Sequence, residues 1–468
     1  MLGHDSRRFT PFGWCGCIWI LVVSFQYGYH ISALNQIQAV LTCRVVDDSG
    51  APLPALPICI PMSDATFSVV TSVYTIGGLL GSLFANVLMD RFGRKGTVEV
   101  SSTMFVIGSA CMSIASGLPL LLLGRVLVGI GAGFGLCVGP IFLSEIAPSK
   151  IKGAVGVLTQ FAIVIGIMTT QAMGLRLATT RTWRWVLVAS SFLSAVQLIL
   201  GLWMVESPTY LARHKMTKQG AVVAHRLWGA TAPVIARQED NDESVADPLL
   251  EHSASDVEDQ KHKGRDDAIT VPQLLKASNL RTPLMIACFS MLCQQLSGVN
   301  AVLYYSNDIL SKALPDFGPY VSLGITIVNV IMTFPPIFLI ERIGRKKLLS
   351  LSAIGALISL WGVGFGLDSG YVTLASLTII TFIASFAIGI GPVPFVMIPE
   401  VSPPHAVSAL SSVGLSLNWI ANFLVGLVFL PLRNLLAHGD ASKEGRVFYV
   451  FASMLAFCSL VLLSIYRE

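Results

Sequence analysis

Carboxamides dominate the residues of this chain that could do chemistry. One segment reads Gln294-Gln295-Leu296-Ser297-Gly298-Val299-Asn300-Ala301-Val302-Leu303-Tyr304-Tyr305, two glutamines and an asparagine grouped beside a glycine in an apolar run. Gln160, Gln171, Asn329, Asn418-Trp419 and Asn422 stand in other apolar runs. An amide offers a donor and an acceptor together, which suits the adjacent hydroxyls of a sugar or polyol. Each neutral hydrogen bond contributes only about 0.5–1.5 kcal/mol net, so several must converge on one ligand. Amides in such runs also bond helix to helix. For Gln171 and Asn418 both readings stand; Gln294, Gln295 and Asn300 read as a site.

Other chemistries find little support. The histidines are scattered without metal-ligand spacing, and the nine cysteines include no CxxC pair. Neither a phosphate-binding P-loop nor a dinucleotide-binding glycine motif occurs. No metal, no cofactor and no catalytic residue is therefore expected. A net charge of +4 is too small to argue for nucleic acid. Charged residues make up 12% of the chain, against about a quarter in soluble domains, and the mean hydropathy is +0.70. Composition points to a polytopic protein of the lipid bilayer.

A transmembrane helix needs about 20 mostly apolar residues, and twelve stretches qualify. The first six are Pro11–Ala33, Phe67–Met89, Val98–Ser116, Pro119–Leu143, Gly153–Leu175 and Trp183–Val205. The second six are Leu284–Tyr305, Pro319–Ile340, Leu348–Leu367, Tyr371–Ile398, Ala406–Leu430 and Val447–Tyr466. A cytosolic N-terminus gives the cytosolic side 22 of the 31 Lys and Arg, so both termini are read as cytosolic. The hydrophilic stretch between spans six and seven has an acidic centre, 236–267, that holds eleven of the 27 carboxylates. Such a composition buries too little surface to order itself. Asp247-Pro248-Leu249-Leu250 within it is read as linker, not as a sorting signal, because the acid stands too close to the leucines. Short surface helices are expected on the flanks, at Thr209–Trp228 and Val271–Ser278.

The two halves repeat. Asp90-Arg91-Phe92-Gly93-Arg94-Lys95 follows span two, and Glu341-Arg342-Ile343-Gly344-Arg345-Lys346 follows span eight, 251 positions later. Glu145 ends span four and Glu400 ends span ten. The expected fold is all-α: twelve transmembrane helices in two pseudo-symmetric six-helix bundles, 1–205 and 283–468, joined by a cytosolic linker, 206–282. Arginine makes bidentate pairs with carboxylates. Asp90, Arg91, Arg94, Glu145 and Lys152 are therefore expected to pair across the halves with Glu341, Arg342, Arg345 and Glu400 as a cytosolic gate. Gly129, Gly133 and Gly139 allow close helix approach in span four. Gly389, Gly391, Pro392 and Pro394 interrupt span ten, making it the candidate moving element.

These motifs carry a family resemblance. With Gln26-Tyr27-Gly28-Tyr29, Gly124-Arg125, Pro140–Pro148 and Glu206-Ser207-Pro208, the chain resembles the sugar porters of the major facilitator superfamily over nearly its whole length. Its first span looks most like the facilitative glucose transporters. The Tyr29-His30 variant and the Cys59-Ile60-Pro61-Met62 loop resemble a fungal branch assigned to the vacuolar membrane, so vacuolar or plasma membrane is expected. The resemblance implies alternating access in a protein functional as a monomer, with Gln160, Gln294, Gln295, Asn300 and Asn329 binding hexose hydroxyls. Asn422 and Phe395 complete the expected substrate set.

Several positions depart from the family pattern. Proton-coupled members carry Asp where His30 stands, near the arginine matching Arg125; facilitative members carry Asn. A histidine beside a cation loses its proton easily, which favours a uniporter. Histidine can also relay protons, so His30 and Arg125 stay a candidate proton or gating site and a proton-coupled symporter stays an alternative. A non-transporting sugar receptor is the other alternative. Ala387 and Phe395 stand where glucose carriers have glutamate and tryptophan, and His405 replaces an arginine of the cytosolic gate. Cys43 and Cys59 share the first non-cytosolic loop and are expected to pair there.

Overall fold

A computed structural model gives the fold and describes residues 9–44, 56–229, 268–300, 302, 318–437 and 443–466. The acidic centre of the linker, the Asp247–Leu250 motif and the Leu303–Tyr305 end of the seventh span lie outside the described residues. Every regular element among the described residues is a helix. The first half holds α1 (Pro11–Leu41), α2 (Asp64–Ser113), α3 (Leu118–Ile146), α4 (Lys152–Leu177) and α5 (Trp183–Gly201). Short helices α6 (Pro208–Arg213), α7 (Thr217–Trp228) and α8 (Val271–Lys276) flank the linker. The second half holds α9 (Arg281–Leu296), α10 (Gly318–Ile343), α11 (Arg345–Asp368), α12 (Val372–Ile388), α13 (Val393–Val401), α14 (Val407–Ala437) and α15 (Arg446–Ile465).

Three elements differ from the spans read in the sequence. α1 runs to Leu41, past Ala33. Spans two and three form one element, α2, of 50 residues. At about 1.5 Å per residue a straight helix of that length would be more than twice as long as the bilayer core is thick, so it folds back at Gly93, whose φ is 75°. Gly344, with φ 90°, makes the same turn between α10 and α11. A left-handed backbone is cheap only for glycine, which accounts for a glycine at the same place in both repeated motifs. The seventh span is interrupted at Ser297–Gly298, where Gly298 takes φ 75°, and helix resumes at Val299.

Span ten divides into α12 and α13, as its glycines and prolines imply. Broken helices persist in a bilayer only where neighbours satisfy the freed backbone groups. Ser352 of α11 does this: its hydroxyl accepts from Ile390 N–H at 2.9 Å and donates to the Ser385 carbonyl. The Gly391 carbonyl accepts from the Gln294 side chain at 2.8 Å.

One apolar core gathers residues such as Val23, Phe142 and Trp183 from α1 to α5. A second gathers Leu360, Phe382 and Phe448 from α11, α12 and α15. Phe192, Ile358 and Leu460 are instead about 70% exposed, as expected of helices whose outer faces meet lipid rather than water. Ten helices among the described residues are long and apolar enough to cross a bilayer. In the loop after α1, Cys43 and Cys59 form a disulfide, with Cα atoms 5.2 Å apart. The Trp183 indole donates to the Ile58 carbonyl at 2.7 Å and Arg184 to the Pro57 carbonyl at 2.8 Å, fastening this loop over α5.

Within α2 and α3, Gly129 and Gly133 face Gly77 and Gly81 so closely that a Cβ on Gly133 would overlap the Gly78 carbonyl. Gly133→Val should therefore cost about 1–3 kcal/mol. In a size-exclusion melting assay its midpoint should fall, whereas Gly426→Ala, where a methyl meets nothing, should not lower it.

Candidate substrate site and cytosolic closure

The carboxamides meet. Asn300 lies just past the Gly298 break at the end of α9, where helix has resumed, and its Nδ2 donates to Gln295 Oε1 at 3.1 Å and to Asn422 Oδ1 at 2.8 Å. Gln295 Nε2 donates to Asn418 Oδ1 at 3.2 Å, and Asn418 Nδ2 donates to Gln294 Oε1 at 2.9 Å. Gln294, Gln295 and Asn418 are buried, while Asn300 and Asn422 are half-buried. The result is a chain of five amides between α9 and α14, tied through Gln294 to the break in span ten. Gln160 reaches it from the first half: its Nε2 would stand 3.4 Å from a Cβ on Gly391. Asn329 of α10 is buried, and its Oδ1 has no hydrogen-bond partner among the described residues. Phe395 is buried in the apolar cluster that also holds Tyr27, Tyr74 and Trp419.

Two members of this group were not resolved from sequence. Asn418 could be helix glue or site, and it is the hinge of the amide chain. The Gly391 carbonyl carries no side-chain signal; its exposure follows from the glycines and prolines of span ten. No acidic or basic side chain belongs to the amide chain, so nothing in it selects a charged ligand.

His30 is fully buried between α1, α2 and α5, with Nε2 2.7 Å from Ser190 Oγ and 3.1 Å from Ser109 Oγ and its ring stacked on Phe105. Gln26 closes the cluster by donating to the Ser190 carbonyl at 2.9 Å and to Ser194 Oγ at 2.7 Å. Nδ1 has no partner among the described residues. An imidazolium would carry an unpaired N–H there, so the surroundings suit the neutral ring. Arg125 bonds the His30 carbonyl, at 3.1 Å, rather than the imidazole, and lies over the Tyr74 ring at 4.6 Å.

The charges at the helix ends correct an expectation. Among the described residues the ion pairs close within each half, not between halves. Arg94 grips Glu145 with two nitrogens, at 3.0 and 2.9 Å, and Arg345 grips Glu400 the same way, at 3.1 and 2.8 Å, with Glu341 at 3.0 Å. Each arginine directly follows its left-handed glycine, which aims it at the carboxylate of its own bundle. Arg91 lies over the neighbouring Phe92 ring. Arg91, Lys152 and Arg342 make no ion pair with another described residue. What crosses between halves is mostly neutral. Gly153 N–H donates to Glu341 at 2.6 Å, Ser411 donates to the Cys137 carbonyl at 3.1 Å, and the Ser82 and Ser416 hydroxyls meet at 2.9 Å. Asp90 faces Ser408 of α14, and Val396 packs on the bare Cα of Gly156.

Glu206, just beyond α5, accepts from the backbone N–H groups of Arg94 at 3.0 Å, Lys95 at 3.0 Å and Ser207 at 2.7 Å. It anchors the glycine turn of the first motif, a role its position in sequence did not reveal.

A many-pass helical protein that holds a neutral amide cluster between two helical cores is built as a solute carrier, not an enzyme. The sugar (and other) transporter family matches residues 16–468, and the chain belongs to it. It is 31% identical to the probable metabolite transport protein YBR241C of Saccharomyces cerevisiae, over 94% of this chain and 89% of that protein. It is 30% identical to the Homo sapiens solute carrier family 2, facilitated glucose transporter member 3, over 87% of this chain and 81% of that protein. Among solved structures, the major facilitator proton:xylose symporter XylE matches its fold with a TM-score of 0.75 at 19% identity, over 96% of this chain and 94% of that chain.

Burial pushes the Glu206 carboxyl up from 4.5 to about 7, despite its backbone donors and the nearby Arg94. A carboxyl raised by folding adds stability that is fully present in acid and is lost as pH rises through its folded value. The thermal midpoint should thus fall between pH 5 and about 7.5, and Glu206→Gln should flatten that slope.

Proposed function

We propose that the chain carries a neutral hexose or polyol across a membrane by alternating access, as a facilitative uniporter. The observation that carries this reading is the amide chain of Gln294, Asn418, Gln295, Asn300 and Asn422. Its donors and acceptors satisfy one another here and can exchange those bonds for the hydroxyls of a sugar at little cost. Gln160, Asn329 and Phe395 would complete the site, Gln160 from the opposite bundle. Residues 1–205 and 283–468 would rock as two lobes, with the broken span ten adjusting between them. The facilitated glucose transporter among its relatives supports a hexose as cargo.

His30 supports the uniport reading. Its imidazole is enclosed by hydroxyls and has no bond to Arg125, which fits a neutral structural role better than a proton site. The symport alternative draws on the fold match to a proton:xylose symporter and on the proximity of His30 and Arg125. At the cytosolic face, the Arg94–Glu145 and Arg345–Glu400 pairs would stiffen each lobe, and the weaker bonds of Gly153, Ser411 and Ser416 would open each cycle. Both termini are assigned to the cytosol. The charge distribution supports this, and so does the Cys43–Cys59 pair, because disulfides form in the secretory lumen that leads to the vacuolar and plasma membranes alike.

In proteoliposomes, labelled hexose uptake should be indifferent to an imposed pH gradient, and His30→Ala should not create or abolish a dependence. Gradient-driven accumulation that disappears in His30→Ala would establish the symporter instead. Gln295→Ala breaks two bonds of the amide chain and should weaken hexose affinity about tenfold or more while the protein stays monodisperse. Unchanged affinity would remove the amide chain from the binding site.

A further inference from the structure

Trp419 directly follows Asn418 on α14 and reaches into the first half of the molecule. Its ring stands edge-on to Tyr27, with centroids 5.6 Å apart, and to Tyr74, at 5.7 Å. Those two rings stack on each other at 6.4 Å, and the Tyr74 hydroxyl donates to the Tyr27 carbonyl at 3.2 Å. The third wall is Gly78. A Cβ there would overlap three atoms of the indole, so only a bare Cα leaves room for the ring. Trp419 is 1% exposed, and its N–H finds no acceptor among the described residues. A buried unpaired donor is costly, so the ring is held there by fit and not by a hydrogen bond.

Asn418 stands one residue before Trp419 and Asn422 three after. Between them they bond Gln294, Gln295 and Asn300. The rotation and height of α14 thus decide whether the amide chain forms, and the seated ring fixes both. We propose that Trp419 is a positioning residue: seating in the Gly78 notch as the lobes close on the cytosolic side sets Asn418 and Asn422 for the substrate. The inference rests on the hexose-carrier reading above. Closure and affinity are then reciprocal, because a ligand that prefers the assembled amides favours the seated ring by the same factor.

The test uses the full chain in lipid nanodiscs, with D-glucose binding by calorimetry and a reporter of closure. The reporter is the Val396→Cys substitution at the Gly156 contact, its alkylation followed by mass spectrometry so that native thiols do not interfere. Gly78→Ala should weaken binding about tenfold and speed alkylation about fivefold, because the methyl unseats the ring. Trp419→Phe should do the same more mildly. The double variant should bind more tightly and react more slowly than Gly78→Ala, since the smaller ring makes room for the methyl. The proposal is overturned if Gly78→Ala changes neither quantity, if affinity falls with alkylation unchanged, or if the two substitutions simply add. Should Gly78→Ala fail to fold, Trp419→Phe and Trp419→Leu decide, by whether both quantities move together. If the wild type binds no D-glucose, the hexose reading is what fails, and the alkylation arm alone still judges the notch.

Discussion

Lipid offers a polar group nothing to bond to, and most of this structure can be read as the response to that fact. Helices satisfy their own backbones, but amide side chains at mid-membrane must find partners inside the protein. Here they find each other. Gln294, Gln295, Asn300, Asn418 and Asn422 form a bonded chain that spans α9 and α14. The same demand shapes the break in span ten, where Ser352 and Gln294 take up backbone groups that a continuous helix would have paired internally. The amide chain and the break in span ten are thereby joined through one side chain: whatever disturbs Gln294 disturbs both.

Charges are treated differently. Arg94 and Arg345 lie at helix ends, each gripping a carboxylate of its own half. The Arg94–Glu145 pair is buried and doubly bonded, and so hard to separate, because each partner would be left as an uncompensated charge; Arg345–Glu400 is doubly bonded and part-exposed. Such pairs make good internal braces and poor seams. The seam between halves is made instead of single bonds, two of them between neutral groups and one from the Gly153 N–H to the Glu341 carboxylate, and of side chains packed on bare glycine Cα atoms. Strong bonds inside each body and weak ones between them is the distribution that a rocking carrier requires.

The internal repeat reaches the level of single dihedral angles. Gly93 and Gly344 adopt the same left-handed turn, each followed by the arginine that braces its bundle. Among the described residues the clustered amides lie in the second half and the enclosed histidine with its hydroxyl cage in the first. The repeated turns brace the two halves alike, and the amide chain lies where they depart from one another.

Composition and hydropathy by themselves determined that the chain crosses a membrane many times, since so few charges cannot coat a soluble surface. Repeated motifs at matching offsets determined the two-part plan. The grouping of Gln294, Gln295 and Asn300 beside a glycine marked the place where amides gather, because polar residues in apolar runs are conspicuous along one chain. Other features depended on contacts between residues far apart in sequence. Arginines and carboxylates occupy matching helix ends in both halves, so the sequence could not say which pairs would form; the direction of each chain after its left-handed glycine decided that. Asn418 stayed ambiguous until α14 was seen to rest against α9, and the backbone role of Glu206 depended on a turn over a hundred residues away. The tertiary structure alone chose among partners that the sequence left equally plausible, because hydrogen bonds depend on angles and distances of tenths of an ångström that no spacing along the chain records.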